Sequence, residues 1–216
     1  MPYDAHPTGG DLKKFWDGTG IVCDWAETPF NRIDLDDKIK DAVALMESGT
    51  GRKFIAQLGT RTYDPPRGPR GFLSLGQDLC SDPDLESSIL ITAAGAQLTL
   101  GQTCFLGPEN SDNDGLPWSL LEISMLGTPA YSARRSVSIT GYWGYSARMP
   151  DDVWSAELAM AALAMAPQVE LALTNGVAKI EDVVYASGSF TPLSTQIALW
   201  RQKFDAVVAN KKKVVI

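Results

Sequence analysis

The sequence contains few of the residues on which catalytic and metal sites are commonly built. Among its 216 residues there is one histidine, His6, and there are three cysteines, Cys23, Cys80 and Cys104. One histidine cannot build a multi-histidine metal site and leaves little to activate a serine or cysteine nucleophile. The cysteines form no C-x-x-C pair, which favours three buried free thiols over a zinc or redox centre. We therefore expect no catalytic residue, no metal and no cofactor.

Long apolar runs and phosphate-binding motifs are also missing. The longest strongly apolar stretch, 158–167, is far below the roughly 20 residues that cross a bilayer. No signal peptide is visible, so we expect synthesis in a cytoplasm and no membrane contact. Neither a P-loop nor a Gly-x-Ser-x-Gly motif occurs. Asp112-Asn-Asp-Gly115 lacks the full ligand spacing and the distal glutamate of a calcium loop. Glu109 and Glu122 could in principle form a glycosidase pair, but nothing in the sequence shows that they converge.

Positive charge is missing from a long central stretch. The chain has a formal charge of −7, yet 71–133 contains no lysine or arginine. A solvated face is the simplest interpretation, and a surface that repels an anionic molecule is the alternative. An acidic chain is also a poor candidate for gripping nucleic acid through its phosphates. The acidic residues of this stretch are Asp78, Asp82, Asp84, Glu86, Glu109, Asp112, Asp114 and Glu122.

Apolar residues at helical spacing predict helices near 34–50, 150–173 and 194–209. Aspartates at the start of the first helix and a glycine after it are typical helix signals. The second helix is rich in alanine between 156 and 166, which fits either packing inside the chain or a subunit interface. We expect Pro167 to kink or interrupt this helix. An extended segment over 177–185 is predicted to precede the last helix.

The pattern between the first two helices is that of a small antiparallel β module. Residues 88–92 and 97–100 flank Ala-Ala-Gly-Ala and predict a hairpin. Residues 118–125 and 136–140 read as further strands. Turn-forming residues over 63–71 and 107–115 predict loops. The predicted fold class is α+β, with a helical bundle core and an inserted β module.

These patterns predict four regions. Residues 1–33 are expected to form an extended N-terminal arm whose aromatic side chains dock locally. Residues 34–51 and 150–210 form a helical domain, and 52–149 form the β-rich insertion. Residues 211–216 form a basic and then apolar tail, Lys-Lys-Lys-Val-Val-Ile.

Three sequence blocks in a fixed order resemble the head–tail connector, or adaptor, proteins of long-tailed bacteriophages. The blocks are Thr50-Gly-Arg-Lys-Phe54, Gly141-Tyr-Trp-Gly-Tyr-Ser146 and Pro150-Asp-Asp-Val153. The similarity extends over about 34–210, because a lysine-containing segment, 177–185, and a last helix follow in the same order. Each block alone is weak evidence, and the ordered set is more specific.

The resemblance implies a structural virion protein, made in the host cytoplasm and located in the neck between capsid and tail. Such proteins form a ring, usually twelvefold, beneath the portal protein and above a stopper or tail-completion protein. Double-stranded DNA passes through the ring without specific binding, so the acidic residues of 71–133 are candidates for the channel wall. The candidate portal contacts are Trp200, Arg201, Phe204, Lys211, Lys212, Lys213, Val214, Val215 and Ile216.

Two other readings stay open. The chain could be another neck component, such as a stopper or tail-completion protein, although those are usually dominated by β-barrels. It could also be an enzyme or a carbohydrate-binding β module. Ring formation and binding to a portal would distinguish the adaptor from the last two.

Overall fold

The computed structural model describes residues 5–21, 23–26, 30–66, 70–124, 135–173 and 193–213. The chain divides into two compact units. The helical unit draws on residues up to Gly51 and from Pro150 onward, and the β unit on Arg52 to Met149. The predicted segment at 177–185 lies outside the described residues.

The described residues of the helical unit form four α-helices, α1 (Gly9–Asp17), α2 (Leu35–Thr50), α4 (Asp151–Leu173) and α5 (Leu193–Lys211). Asp34 caps the start of α2 by accepting a hydrogen bond from the Asp37 amide. Gly51 ends α2 with a φ of 70°, a left-handed conformation that glycine adopts without steric cost. The bounds of α2, α4 and α5 agree with the three predicted helices.

Helix α1 corrects the prediction of an extended arm. Thr8 accepts a hydrogen bond from the Asp11 amide, and the Asp11 side chain accepts one from Thr8, which forms a complete capping box. The helix buries Leu12 and Trp16 completely, and Trp16 packs against Trp200 with ring centroids 5.3 Å apart and ring planes tilted by 50°. The docking of aromatic residues was predicted, whereas the helix was not. Burial of one apolar face stabilises a helix as short as this one.

Helix α4 supplies the centre of the helical core. Ala159, Ala161, Ala162 and Ala166 are buried there, packed with side chains from α1, α2 and α5. The structure thus uses these alanines inside the chain, the first of the two predicted alternatives. The helix continues through Pro167, so the expected interruption does not occur. Pro167 lies on the exposed side, where it costs no core packing.

Where the structure describes the β unit, its strands form a seven-stranded antiparallel sheet. Six strands follow the order β4-β3-β7-β2-β6-β5, and β1 pairs with β7. The short helix α3 (Pro83–Glu86) connects β2 to β3. The strands are β1 (Gln57–Tyr63), β2 (Arg70–Leu79), β3 (Leu90–Ala93), β4 (Ala96–Leu98), β5 (Cys104–Gly107), β6 (Trp118–Ser124) and β7 (Val137–Trp143).

The predicted hairpin and strands are present in this sheet. Strands β3 and β4 pair across Ala94 and Gly95, and β6 and β7 occupy the two longer predicted strands. Alternate residues of β7 are buried, which places Val137, Ile139 and Trp143 in the core of the β unit. The α+β fold class is therefore confirmed.

Candidate assembly surfaces

Two of the three sequence blocks behind the resemblance are joined by hydrogen bonds in the β unit. The Tyr145 amide donates to the Lys53 carbonyl at 2.7 Å, and the Ser146 amide donates to the Phe54 carbonyl at 3.2 Å. The rings of Phe54 and Tyr145 lie 5.7 Å apart, and Phe54 is fully buried. The chain segments that begin and end the β unit are thus fastened side by side.

A glycine makes this close approach possible. Gly144 has a φ of 156°, and a Cβ atom there would lie 2.5 Å from the Cα atom of Ala56. The Gly144 amide donates to the Asp78 carbonyl at 2.9 Å. The second glycine of the Gly-Tyr-Trp-Gly-Tyr-Ser block is therefore required by local geometry.

An ion pair stands beside this junction. The Arg52 guanidinium donates to the Asp78 carboxylate at 2.8 Å, and the side chains are 15% and 3% exposed. Arg52 also lies over the Tyr145 ring, 5.2 Å from its centroid. Asp78 was a channel-facing candidate, and its burial corrects that prediction. A carboxylate buried against arginine serves local structure and cannot present charge to a channel.

The other acidic candidates lie nearer the surface. Asp82 caps α3 through the Asp84 amide. Exposed carboxylates are those of Asp84, Glu86, Glu109, Asp112 and Asp114, and the side chain of Glu122 on β6 is half-buried. The structure brings two of them together, because Glu109 and Glu122 line one groove with Phe72 and Phe105.

The groove is the feature that sequence analysis missed. It has a volume of about 560 Å³ and lies on strands β2, β5 and β6 and the turn after β5. Phe72 is 68% exposed and Phe105 44% exposed, which is unusual for phenylalanine. Their distance in sequence hides the pairing, and only the strand register brings them to one face.

The candidate portal contacts separate into two groups. Trp200 and Phe204 are buried in the helical unit, 8% and 9% exposed, so their assignment as contact residues is corrected.

The basic candidates lie nearer the surface. Arg201 and Lys212 are exposed, whereas Lys211 lies 3.4 Å from the Asp152 carboxylate. The Lys213 amide donates to the Thr50 carbonyl at 2.9 Å. Val214, Val215 and Ile216 lie outside the described residues.

The three cysteines have the properties of core residues. All are free and buried, as predicted. Burial raises the pKa of Cys23 and of Cys104 to about 11 and also raises that of Cys80. Thiols with such pKa values are poor nucleophiles at neutral pH.

The described ranges lack both a metal-binding cluster and a membrane-spanning helix. They hold no cluster of three or more histidine, cysteine or acidic side chains that could bind a metal ion. No helix in the described part of the chain has the length and apolar character needed to cross a membrane.

Comparison with known proteins gives a structural likeness and no sequence match. No protein-family model matches the chain, and neither does any curated protein. Among solved structures, it is similar to chains from the "neck of empty GTA particle" and the "neck of native GTA particle", at 17% and 16% identity. A third similar chain comes from the virion of a native gene transfer agent particle, at 15% identity.

These alignments cover nearly the whole of each chain, but the structural similarity within them is low. Each covers 100% of this chain and 96%, 97% and 96% of the other chain, in the same order, with a TM-score of 0.47 in all three. At that identity and TM-score the likeness by itself assigns no role to this chain.

Proposed function

We propose that this chain is a structural protein of the neck of a tailed phage-like particle, and specifically a head–tail adaptor. In this role, copies form a ring beneath a portal protein and link the capsid to the tail. The chain has no catalytic function in this account, and its chemistry is that of interfaces.

The observation that carries the proposal is the pairing of two resemblance blocks at the junction of the β unit. Arg52-Lys-Phe54 and Tyr145-Ser146 are about ninety positions apart, yet they are bonded to each other and share a buried aromatic pair. Pro150-Asp-Asp-Val153 directly follows and begins α4. The first block thus lies where the chain passes from the helical unit into the β unit, and the other two lie where it returns. This placement supports a β insertion within a connector.

The charge distribution fits a conduit for DNA. The exposed acids of α3 and of the loop after β5 belong to a stretch without one basic residue. Phosphate contacts would hold DNA inside the ring, whereas carboxylates repel it. We assign Asp84, Glu86, Asp112 and Asp114 to the channel wall or its mouth. An assembled ring with these four carboxylates on its outer surface and basic residues in the lumen would contradict this assignment.

The exposed side of α5 is the proposed contact with the portal. Leu199 is 53% exposed, and the exposed Lys203 follows it one turn later on the same side of the helix. Arg201 is also exposed, on the other side of the buried row that contains Trp200 and Phe204. This replaces the buried Trp200 and Phe204 as contact residues. A mixed apolar and basic face of this kind suits an acidic partner surface.

The test is capture of the purified chain by portal rings. The original chain is expected to bind the rings, and a variant with Leu199→Ser and Lys203→Glu is expected to lose at least about tenfold in affinity. Leu171→Ser is the matched control, since Leu171 is 62% exposed on α4. Equal binding by all three proteins would show that α5 is not the contact. Failure of the original chain to bind any portal would contradict the adaptor role.

A further inference from the structure

The groove on β2, β5 and β6 has the composition of a peptide-binding site. Phe72 pairs with Glu122 across β2 and β6, and Phe105 pairs with Glu122 across β5 and β6. Directly opposed residues on neighbouring strands have Cβ atoms about 5 Å apart. The three side chains therefore form one row, in which a carboxylate stands between two aromatic rings.

This row lies on the face of the sheet that turns away from the core. Leu121 and Ile123, the neighbours of Glu122 on β6, are fully buried on the other face. Alternation along the strand thus sends Glu122 outward together with Phe72 and Phe105. Glu109 adds a second carboxylate at the rim, and Leu120 adds apolar surface. Exposed aromatic surface rimmed by polar groups marks an interaction site more often than ordinary solvent-facing surface.

The side chains that line the groove indicate what kind of segment binds there. Two carboxylates favour lysine or arginine, and two phenylalanine rings with leucine favour aliphatic side chains. An extended segment in which lysines directly adjoin aliphatic residues satisfies both. The chain itself contains such a segment, Lys211-Lys-Lys-Val-Val-Ile216. Its exposed Lys212 lies just before Val214–Ile216, which are outside the described residues.

We propose that the segment Lys212–Ile216 of one copy binds the Phe72–Glu122–Phe105 groove of the neighbouring copy. The lysines approach Glu109 and Glu122, and the aliphatic side chains cover the two rings. Because the segment and the groove are different surfaces of the same chain, the contact is head-to-tail and can repeat around a closed ring. The inference rests on the proposed ring and identifies one of the contacts that would build it.

Disulfide trapping between two different variants tests the contact directly. Ser124 lines the groove, and the native cysteines are buried. Under mild oxidation, a mixture of Ser124→Cys and Ile216→Cys proteins is expected to give a crosslinked dimer with one chain of each kind. Thr62→Cys mixed with Ile216→Cys is the control, because Thr62 is exposed on β1 and outside the groove. Equal crosslinking in both mixtures, or none, would overturn the proposal.

The double variant Ser124→Cys/Ile216→Cys separates binding between copies from binding within one copy. Binding between copies is expected to give a ladder of crosslinked oligomers. A crosslinked monomer alone would mean that the segment occupies the groove of its own chain, which would overturn the proposal.

The affinity of a labelled peptide shows which side chains of the groove recognise the segment. The hexapeptide Lys-Lys-Lys-Val-Val-Ile is added to the full chain and followed by fluorescence anisotropy. Phe72→Ser is expected to weaken binding about tenfold, and Glu122→Gln several-fold at low salt and less at high salt. Leu58→Ser is the control, since Leu58 is 61% exposed on the same sheet and outside the groove. Equal affinity for all variants would contradict the assignment of the groove.

Failure here and failure of the adaptor role give different results. Rings that form and bind a portal without the Ser124–Ile216 crosslink leave the adaptor role standing and overturn the groove contact. Crosslinked dimers from a chain that binds no portal support the groove contact and contradict the adaptor role. If replacing Val214, Val215 and Ile216 with serine abolishes portal binding in intact rings, the segment serves the portal and the groove proposal is wrong.

Discussion

The His6 imidazole lies 3.0 Å from the carboxylate of Glu157, although the two residues are 151 positions apart. The Glu157 side chain is completely buried in α4, and the His6 side chain is 28% exposed. Burial raises the pKa of Glu157, and the hydrogen bond from His6 acts in the opposite direction. The one histidine of the sequence therefore links the segment before α1 to the N-terminal third of α4.

Removing the histidine should destabilise the helical unit. His6→Ala leaves a buried carboxylate without this partner, so the free energy of unfolding is expected to fall by about 1–3 kcal/mol. Urea unfolding at neutral pH measures the change. Lys40→Ala is the control, because it removes an exposed ion pair with Asp37 and should leave stability nearly unchanged. Equal effects of the two substitutions would contradict a structural role for the His6–Glu157 contact.

The burial of Glu157 predicts a pH dependence of stability. A carboxyl group whose pKa is raised by folding contributes stability below its unfolded-state pKa, and this is lost as the pH rises through the folded-state value. Glu157→Gln cannot ionise, so its stability relative to the original chain should increase from pH 4 toward pH 7. Unfolding curves of both proteins across this range give the difference. A difference that changes in the opposite direction would mean that His6 lowers the pKa of Glu157 by more than burial raises it.

The buried ion pair of the β unit should be strongly coupled. Arg52→Ala leaves the Asp78 carboxylate buried without its guanidinium, at an expected cost of about 3 kcal/mol. The double variant Arg52→Ala/Asp78→Asn should recover part of this loss, because no uncompensated charge remains. A double-mutant cycle by chemical unfolding measures the coupling, and additive effects would rule it out.

Gly144 should tolerate no side chain. A Cβ atom there would meet the backbone of Ala56 at 2.5 Å, so Gly144→Ala is expected to cost about 1–3 kcal/mol. Gly10→Ala in α1 is the control, because its Cβ would have only an ordinary contact at 3.6 Å and alanine favours helix. Thermal unfolding distinguishes the two. A Gly144→Ala protein as stable as the original would show that the backbone at Ala56 can move away from residue 144 without loss of stability.

Helices α2, α4 and α5 and strands β6 and β7 were predictable because their signals are local, whereas the ten-residue strand β2 was not predicted. Apolar spacing and Asp34 with Gly51 mark α2, and alternation marks β7. Helix α1 was missed because Gly9 and Gly10 weaken its helical signal, although Thr8 and Asp11 carry a capping box. Its stability comes from burial of Leu12 and Trp16, which the sequence alone does not reveal.

The surfaces were harder to predict because they depend on contacts between distant residues. In the sequence Asp78 is one acid in a charged stretch, and only the structure shows its ion pair with Arg52. Phe72 and Phe105 read as ordinary strand residues, and only their shared partner Glu122 puts them on one outward face. Composition indicates where charge is concentrated, whereas register and packing decide which charges reach the surface.

Electron microscopy of the purified chain, alone and mixed with portal rings, tests the adaptor role most directly. Closed rings with an open central channel are expected, stacked coaxially on the portal when it is present. Particles that remain monomers or two-fold dimers at all concentrations, with and without the portal, would contradict the adaptor role.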